Sequence, residues 1–550
     1  MSDDNIEQKS DSTEPDPSTW THEQIRAAVE ARAKAEAAEL AAAVKAGGNG
    51  NGGQPLGYRF LKDCLDANEL GDGILFSTLQ ADKFIFNASG QAWMRWTGQH
   101  WEVDVEERAL GAVEPVASEY LRLLPMIGSK LKLHEADKDK VAKLKKVQAK
   151  VIKRASRLRS DRGRKNCLKL AATSPEAPMV CRGDVFDGNR MLLACKNAVI
   201  DLELGEAVPA SPADMVLKAA PTDWRGIDHP APIWERTINE IFEAREDVIG
   251  FLHRLLGYSI TGLTTEHVLP IFQGIGRNGK SLIFDVLAHV LGDIVSPVPV
   301  EMLLDQGRSR SAAAPSPDIM ALKGVRIAVA AEADENRRFS MGRVKWLTGN
   351  DQLTGRWPND KYPCTFMPTH KLFLLTNDLP HASANDYAFW ERVCVIPFRL
   401  SFVNREPARD FERRADLGLF DQLKEEASGI LAWLVRGCLE WRRAGLAPPP
   451  VVKEATQRYR ADEDYLQDWI DERCILDQHS ESPAGKLYEN FSDWYVLRIN
   501  KNRKKTPSQR AFGQMLSKRF KREKHGTYIY YGLDCDEIID EPDHGQRAFD

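Results

Sequence analysis

The sequence has no feature typical of a membrane protein or a secreted one. It contains no run of about 18 apolar residues, which excludes a predicted membrane-spanning helix. Its opening stretch, MSDDNIEQKSDSTEPDPS, is acidic and has no apolar segment, so it does not fit a secretory signal. We therefore expect a cytoplasmic protein that has no membrane partner.

Cysteine pairs suited to zinc binding are also missing. The nine cysteines are scattered, and no two stand at the two-residue spacing of a zinc knuckle. We expect reduced, mostly buried thiols and no structural zinc. The net charge of −5 does not by itself favour a nucleic-acid partner, but a balanced total hides strongly segregated charge here.

Four parts are distinguishable along the chain, in keeping with its length of 550 residues. Residues 1–56 form a polar, Ala-rich tether that ends in the Gly-rich linker GGNGNGGQP. Residues 57–222 mix helical patterns with short strand patterns such as WMRWTGQHWEVD. In residues 223–450 the apolar strands HVLPIFQ, RIAVAA and KLFLL alternate with helices, which predicts an α/β core with a parallel sheet. Residues 451–550 are helical and then basic, and they end in an acidic tail.

The segment GIGRNGKS fits the phosphate-binding pattern G-x-x-x-x-G-K-[ST]. It stands between an apolar strand and the helical pattern SLIFDVLAHVLG, which is the context that this pattern needs. Backbone amides and the helix N-terminus would hold the phosphates of ATP, Lys280 would reach the β- and γ-phosphates, and Ser281 would bind Mg²⁺. The predicted cofactor-binding residues are Gly274, Ile275, Gly276, Arg277, Asn278, Gly279, Lys280 and Ser281.

Three further side chains are candidates for the chemistry of hydrolysis. Glu332 directly follows the strand RIAVAA, where a carboxylate would hold the metal or polarise water. Asn377 follows KLFLLT, and an amide there would contact the γ-phosphate and the attacking water. Arg392 precedes another apolar run and would neutralise charge in the transition state, although such an arginine, taken alone, is more often part of a surface ion pair. Asp334 and Glu335 fit solvated loop acids better than they fit catalytic groups.

Basic residues cluster in two places. Between Lys138 and Lys165 there are thirteen Lys or Arg against two Asp, a pattern that fits either a solvated helix face or a DNA contact. Between Lys501 and Lys524 there are ten against one acid, next to two amphipathic helical patterns and the strand-like TYIYYGL. This second cluster predicts a winged-helix-like DNA-binding module, with a merely solubilising surface as the alternative. Its candidate DNA contacts are Lys518, Arg519, Lys521 and Arg522.

Five motifs in order give a family resemblance. GIGRNGKS, the strand-end Glu332, LTGNDQLTGR, LFLLTNDLP and FWERVCVIPF resemble the motif series of superfamily-three helicases. More narrowly, they resemble the phage and plasmid primase-helicase family related to the poxvirus D-type replication ATPase, over roughly residues 60–535. The resemblance implies an α/β, P-loop core of the AAA+ type, preceded by a mixed α+β accessory domain and followed by a winged-helix-like module. It also implies a homo-hexameric ring with ATP and Mg²⁺ at the subunit interfaces.

The resemblance implies roles for individual residues. Lys280 and Ser281 become the phosphate and metal contacts, Glu332 the acidic motif, Asn377 the first sensor and Arg392 a finger donated by the neighbouring subunit. Many members of the wider superfamily have two adjacent acids at the strand end, whereas Ala331 precedes Glu332 here. Which acid assists Glu332 is therefore left open.

The segment from Leu347 to His370 corresponds in the resemblance to a hairpin that points into the channel of the ring. Arg356 and Lys361 are therefore candidate DNA contacts, or else exposed loop cations. Residues 57–222 contain neither a paired-carboxylate metal motif nor a zinc-ribbon spacing, so we expect primer synthesis to belong to a separate primase or to host replication proteins.

The predicted function is that of an ATP-dependent DNA helicase. It would act on single-stranded and forked DNA during replication of a phage, a plasmid or an integrated element in a bacterial host, and the resemblance implies movement toward the 5′ end of the bound strand. One alternative is a DNA-binding initiator that ATP switches, with little unwinding. A second alternative is a P-loop kinase that acts on a small molecule.

Overall fold

The computed structural model describes residues 56–173, 179–307, 314–331, 337–358, 363–499, 503 and 506–535. Contacts divide the chain into two compact units, one running up to Phe186 together with Ser211–Met215, and the other formed by Asp187–Ala210 and the residues from Val216 onward. The four-part division drawn from the sequence stays a prediction.

The first unit packs helices around a small sheet of order β3-β2-β1-β4, in which only the β1–β4 pairing is parallel. The helices are α1 (Tyr58–Asp66), α2 (Glu69–Gln80), α3 (Arg108–Gly111), α4 (Glu114–Leu121), α5 (Leu123–Leu133), α6 (Lys138–Leu158) and α7 (Asp161–Thr173). The strands are β1 (Phe84–Asn87), β2 (Ala92–Trp96), β3 (Trp101–Val103) and β4 (Val180–Cys181).

Helix α6 shows why this part of the sequence folds as it does. Asp137 caps its N-terminus by accepting a hydrogen bond from the backbone N–H of Lys140. Apolar side chains at intervals of three or four residues, among them Val151 and Leu158, pack into the core of the unit. On the same inner face the guanidinium of Arg154 donates to the buried carboxylate of Asp72 at 3.1 Å. The basic helix is therefore anchored by one face only.

The second unit is built around a parallel sheet of order β10-β11-β14-β9-β15. Its strands are β9 (Leu269–Gln273), β10 (Val295–Val298), β11 (Ile327–Ala331), β14 (Lys371–Thr376) and β15 (Val393–Pro397). Apolar side chains of these strands are buried on both faces, for example Phe272 and Phe373 on one and Ile271 and Leu374 on the other. Burial on both faces explains why the strands are continuous apolar runs in the sequence. The predicted α/β architecture with a parallel sheet is confirmed.

Helices and smaller strand pairs surround this sheet. The helices are α8 (Pro232–Ile241), α9 (Glu246–Ser259), α10 (Lys280–Leu291), α11 (Pro317–Met320), α12 (Met341–Leu347), α13 (Tyr387–Trp390), α14 (Leu419–Glu425), α15 (Ala427–Ala444) and α16 (Pro450–Asp462). A second sheet of order β7-β6-β5-β8 contains β5 (Leu192–Cys195), β6 (Val199–Asp201), β7 (Glu206–Val208) and β8 (Ala219–Ala220). Two pairs, β12 (Leu353–Gly355) with β13 (Cys364–Phe366) and β16 (Ser401–Val403) with β17 (Glu412–Arg414), complete this part.

The C-terminal part of the second unit, which we call the tail module, packs helices against short strands around its own apolar cluster. Its elements in chain order are α17 (Tyr465–Arg473), β18 (Cys474–Ile475), β19 (Glu481–Pro483), α18 (Ala484–Arg498), α19 (Gln509–Leu516), β20 (Arg522–His525), β21 (Thr527–Tyr531) and β22 (Asp534–Cys535). β19, β21 and β20 form an antiparallel sheet in that order. Neither here nor elsewhere in the described ranges is any helix both long and apolar enough to cross a bilayer.

Candidate nucleotide-binding site

The loop of residues 274–281 connects β9, which lies between β14 and the edge strand β15 of the parallel sheet, to α10. Phe398 donates its backbone N–H to the carbonyl of Gln273, just before the loop, and Phe402 donates to the carbonyl of Arg277 within it. The chain that follows β15 therefore fixes both the entrance and the middle of the loop. The sequence patterns indicated the loop but gave no sign of these two contacts.

The glycines of the loop have different reasons to be glycine. Gly279 has φ +86° and forms the N-cap of α10, and a Cβ there would stand 2.6 Å from Cδ1 of Ile241. At Gly274 a Cβ would meet the Asn278 side chain and the carbonyl of Phe398. Gly276 has φ +94° but open space around it. The backbone thus curls through conformations that residues with side chains rarely adopt.

The curled backbone leaves donors facing open space. Within the described part of the chain, the N–H groups of Arg277, Asn278 and Gly279 have no acceptor, and they are followed by the first turn of α10. Nδ2 of Asn278, a residue that is 3% exposed, is enclosed and likewise lacks a partner among the described residues. Such a set of unpaired donors at a helix N-terminus suits an anion such as a phosphate.

Lys280 lies behind this loop, 7% exposed. Its Nζ donates to the carbonyl of Gly274 at 2.5 Å and to Oδ1 of Asn377 at 3.0 Å. Burial lowers the pKa of Lys280 from 10.5 to about 8, because removing the ammonium from water disfavours its charged form. A negatively charged ligand in the loop would oppose that shift.

Asn377 reaches Lys280 because β14 and β9 are neighbours and end together. Thr376, the last residue of β14, stands opposite Gln273 of β9, and its carbonyl accepts from the N–H of Gly274 at 3.3 Å. The Thr376 hydroxyl donates to the carbonyl of Asp378 and shapes the turn that exposes Asn377. Two residues predicted from separate motifs are thereby brought into contact.

Arg392 lies at the opposite end of the strands from the loop. β15 is parallel to β9, with Val393 opposite Leu269, so Arg392 stands where these strands begin and the loop stands where they end. At ~3.3 Å per residue the five-residue strand separates the two by roughly 15 Å. The Arg392 guanidinium donates to the carbonyl of Ala388, and its Nε is enclosed without a partner in the part of the chain that is described. Arg392 therefore does not contribute to the loop of its own chain.

Two other predicted site residues cannot be placed. Glu332 and Lys361 lie outside the described residues. The strand before Glu332, β11, ends at Ala331 opposite Leu375 of β14. Arg356 follows β12 of the antiparallel β12–β13 pair, and its backbone exchanges hydrogen bonds with Ser316. Within the described ranges, no group of three or more His, Cys, Asp or Glu side chains is arranged to hold a metal.

The four predicted DNA contacts of the tail module differ in their surroundings. Arg519 forms a two-pronged ion pair with Asp464 at 2.6 and 2.7 Å, which ties it to the fold. Lys521 forms an ion pair with Glu523 at 3.0 Å. The guanidinium of Arg522 stacks on Tyr528, with its Cζ atom 4.5 Å from the centre of the ring. Lys518, also exposed, has no ion-pair partner among the residues described.

A pocket of about 250 Å³ lies beside the loop. Gln273, Pro397 and helix α16 line it, and it contains two arginines and two acids, namely Arg399, Arg458, Glu454 and Asp462. Sequence reasoning missed these residues because Arg458 and Glu454 belong to a helix that is remote along the chain and carries no motif.

Parts of the chain resemble known proteins. Residues 73–243 match the family described as D5 N terminal like. The chain is 28% identical over 334 residues to the putative helicase L207/L206 of Acanthamoeba polyphaga mimivirus, covering 56% of this chain and 33% of that protein. It is 25% identical over 384 residues to the putative helicase 022R of Frog virus 3, covering 57% and 39%. Over part of its length the chain is therefore similar to the D5-type primase-helicase family.

Much of each relative has no counterpart in this chain. The chain spans between 33% and 39% of the length of three curated relatives named as putative helicases. A putative primase of African swine fever virus, C962R, matches at 23% identity over 255 residues, 43% of this chain and 26% of that protein. Among solved structures, the apo C-terminal region of NrS-1 aligns with a TM-score of 0.33 and 13% identity, covering 52% of this chain and 62% of that one. The named relatives come from viruses of eukaryotes, so the bacterial host stays a prediction.

Proposed function

We propose that this D5-type chain is an ATP-dependent DNA helicase that works in replication. The observation that carries the proposal is the contact between Lys280 and Asn377 at one edge of the parallel sheet, directly behind a loop with unpaired N–H donors. Relatives named as putative helicases and a putative primase support the replicative role.

In this proposal residues 274–281 are the P-loop of an AAA+ type core. The N–H groups bind the phosphates of ATP, and Lys280 exchanges the Gly274 carbonyl and Asn377 for the β- and γ-phosphate oxygens. Ser281, exposed in the first turn of α10, and Glu332, which follows Ala331 in the sequence, would hold Mg²⁺. Once released by Lys280, Asn377 is free to orient water toward the γ-phosphate.

The position of Arg392 supports a site shared between subunits. Because it lies at the edge opposite its own loop, it serves hydrolysis only by entering the site of a neighbouring copy. There its charge would offset the negative charge that develops on the transferred phosphoryl group. Repeating this contact closes a ring, and the proposed assembly is a homo-hexamer.

The proposed DNA contacts fall in two regions. The β12–β13 pair would project Arg356 and Lys361 into the channel of the ring, where ATP-driven shifts pull one strand through. The tail module supports a winged-helix assignment, because its order of helix, strand, two helices and a hairpin, with β21 between β19 and β20, is that of a winged helix. Single-stranded and forked DNA are the proposed substrates, with primer synthesis left to a partner.

The direct test joins turnover, unwinding and assembly in one sample. Purified protein is expected to hydrolyse ATP with Mg²⁺, faster with single-stranded DNA, to separate a forked duplex, and to appear as a ring-sized species by mass photometry. Lys280→Ala should abolish turnover and unwinding while the fold, followed by circular dichroism, is unchanged. Folded and assembled protein with no DNA-stimulated triphosphatase would overturn the proposal, and ATP binding with negligible turnover would favour a switched initiator.

A further inference from the structure

The basic run of the first unit divides into two groups once its ion pairs are known. Seven of the thirteen Lys or Arg residues between Lys138 and Lys165 have an acid within 4.0 Å. Five of these pairs connect α6 and α7 to other parts of their unit, as when Lys150 reaches Asp66 and Arg157 reaches Glu69, and the pairs of Lys140 and Lys165 are local. The paired cations are Lys140, Lys150, Arg154, Arg157, Arg159, Arg164 and Lys165.

The remaining six have no ion-pair partner among the described residues, and all six are exposed. Five of them belong to α6, where the buried residues such as Val151 and Leu158 occupy the opposite face. Between Lys143 and Lys153 the exposed positions without a positive charge are Ala149 and Ile152, and Ile152 is 52% exposed. The unpaired residues are Lys138, Lys143, Lys145, Lys146, Lys153 and Arg162.

An ordinary solvated helix does not look like this. Exposed helices are commonly stabilised by acids placed three or four residues from each lysine, whereas α6 has no acid after Asp139 in its first turn. Lys143, Lys146, Lys150, Lys153 and Arg157 instead follow one another at intervals of three or four residues. Lys150 and Arg157 are balanced by Asp66 and Glu69, whereas a like-charge pair without acids, such as Lys143 with Lys146, costs roughly 0.2–0.5 kcal/mol that a bound polyanion would recover.

We propose that the outward face of α6 is a second DNA-binding surface, which holds the phosphate backbone of duplex DNA without reading its sequence. The helix is 21 residues long, about 30 Å at ~1.5 Å per residue, and its lysines are distributed along most of that length. Duplex rather than single-stranded DNA is the occupant because the face has no aromatic side chain on which unpaired bases would stack. Ala142, Ala149 and Ser156 leave room for the backbone to approach the helix.

This surface belongs to the unit that does not contain the nucleotide loop, so its DNA binding is tested without nucleotide. The experiment measures binding of a fluorescent 30-base-pair duplex of arbitrary sequence to the full chain without nucleotide, over a range of salt concentrations. The triple variant Lys145→Gln/Lys146→Gln/Lys153→Gln should bind about tenfold more weakly near 100 mM salt, and the slope of log K against log salt should fall by about 2 to 3, because each lost phosphate contact contributes about 0.9.

The matched control removes the same charge elsewhere on the same unit. Arg59→Gln/Lys83→Gln/Lys132→Gln changes three exposed cations outside α6 and α7 and should leave both the affinity and the slope nearly unchanged. Equal loss in the two variants would show a general charge effect and would overturn the proposal. So would stronger loss for single-stranded DNA than for duplex, or competition by polyglutamate as effective as competition by unlabelled duplex, since the latter indicates an acidic protein partner.

Triphosphatase activity without DNA, measured on the same preparations, separates this proposal from the helicase proposal. If the triple variant keeps its triphosphatase activity and binds duplex DNA as tightly as the unchanged protein, only the proposal for the α6 surface is wrong. If the unchanged protein has no triphosphatase activity but the triple variant binds duplex DNA more weakly than it does, only the helicase proposal is wrong.

Discussion

The ammonium of Lys280 and the side-chain oxygen of Asn377 lie 3.0 Å apart, joined across two neighbouring strands of the parallel sheet. This contact holds the oxygen of the amide toward the lysine and leaves its NH₂ group directed elsewhere. The two residues belong to motifs that are 97 positions apart in the chain. Because the two side chains are in contact, substitution of either one should alter the surroundings of the other.

Substitution of Asn377 should separate binding from hydrolysis. Asn377→Ala removes the group proposed to orient water, so we expect kcat for ATP to fall about 100-fold or more with Kd changed only a few-fold. Asn377→Asp keeps an oxygen for Lys280 but adds a negative charge, so ATP affinity should fall as well. Phosphate release and titration with a fluorescent ATP analogue give the two quantities, and equal Kd for Ala and Asp would contradict the contact as an electrostatic one.

The depressed pKa of Lys280 predicts a pH dependence. The ammonium is charged below about pH 8 and neutral above it, and only the charged form attracts phosphate, so ATP affinity should fall between pH 7 and pH 9. Without nucleotide the sign for stability is opposite. The unfolded chain keeps its proton up to 10.5, so this group makes folding more favourable as pH rises from about 8 to 10.5.

Lys280→Met is the matched variant for that dependence, because it keeps the length of the side chain without the charge. It should lose ATP binding at every pH and show a higher Tm than the unchanged protein at pH 7 in the absence of nucleotide. If the ATP affinity of the unchanged protein is the same at pH 7 and pH 9, Lys280 does not titrate between these two pH values.

The loop glycines should differ in their tolerance of alanine. Gly276→Ala meets only the backbone cost of a positive φ, about 1–3 kcal/mol, because the space around it is open. Gly279→Ala meets that cost and a collision with Ile241, so its free energy of unfolding should fall further. Urea denaturation of both variants measures the difference. Because Ile241→Ala itself leaves a cavity in the core, the cost of Gly279→Ala is compared with and without it. That cost should be smaller in the Ile241→Ala background, and an equal cost in both backgrounds would contradict the geometry.

Arg392 should act on a neighbouring subunit. Arg392→Ala is expected to bind ATP normally and to lose about 10³-fold in turnover, the scale typical of an arginine finger. Mixed with Lys280→Ala subunits, it should recover part of the activity, because an interface with an intact Lys280 on one side and an intact Arg392 on the other forms again. Arg399 lines the pocket next to the loop of its own chain. Mixing Arg399→Ala subunits with Lys280→Ala subunits should therefore not restore activity in this way.

The parallel sheet was predictable because strands buried on both faces leave continuous apolar runs, as in KLFLLT. The phosphate loop was predictable because glycine at positive φ is a local requirement. Ion pairing was not, since it depends on partners distant in sequence. Arg519 stood among the predicted DNA contacts, yet Asp464, which is 55 positions earlier, holds it in place. In the same way, no pattern within residues 138–165 indicated which of its cations Asp66 and Glu69 would neutralise.

The placement of Arg392 and the phosphate loop at opposite ends of the same strands makes each protomer asymmetric along one direction. Under the proposed role, a dilute solution of single chains would be saturated with ATP and still inert, and activity would rise steeply with protein concentration rather than in proportion to it. A compound that separates adjacent subunits would therefore inhibit ATP hydrolysis without competing with ATP for its site.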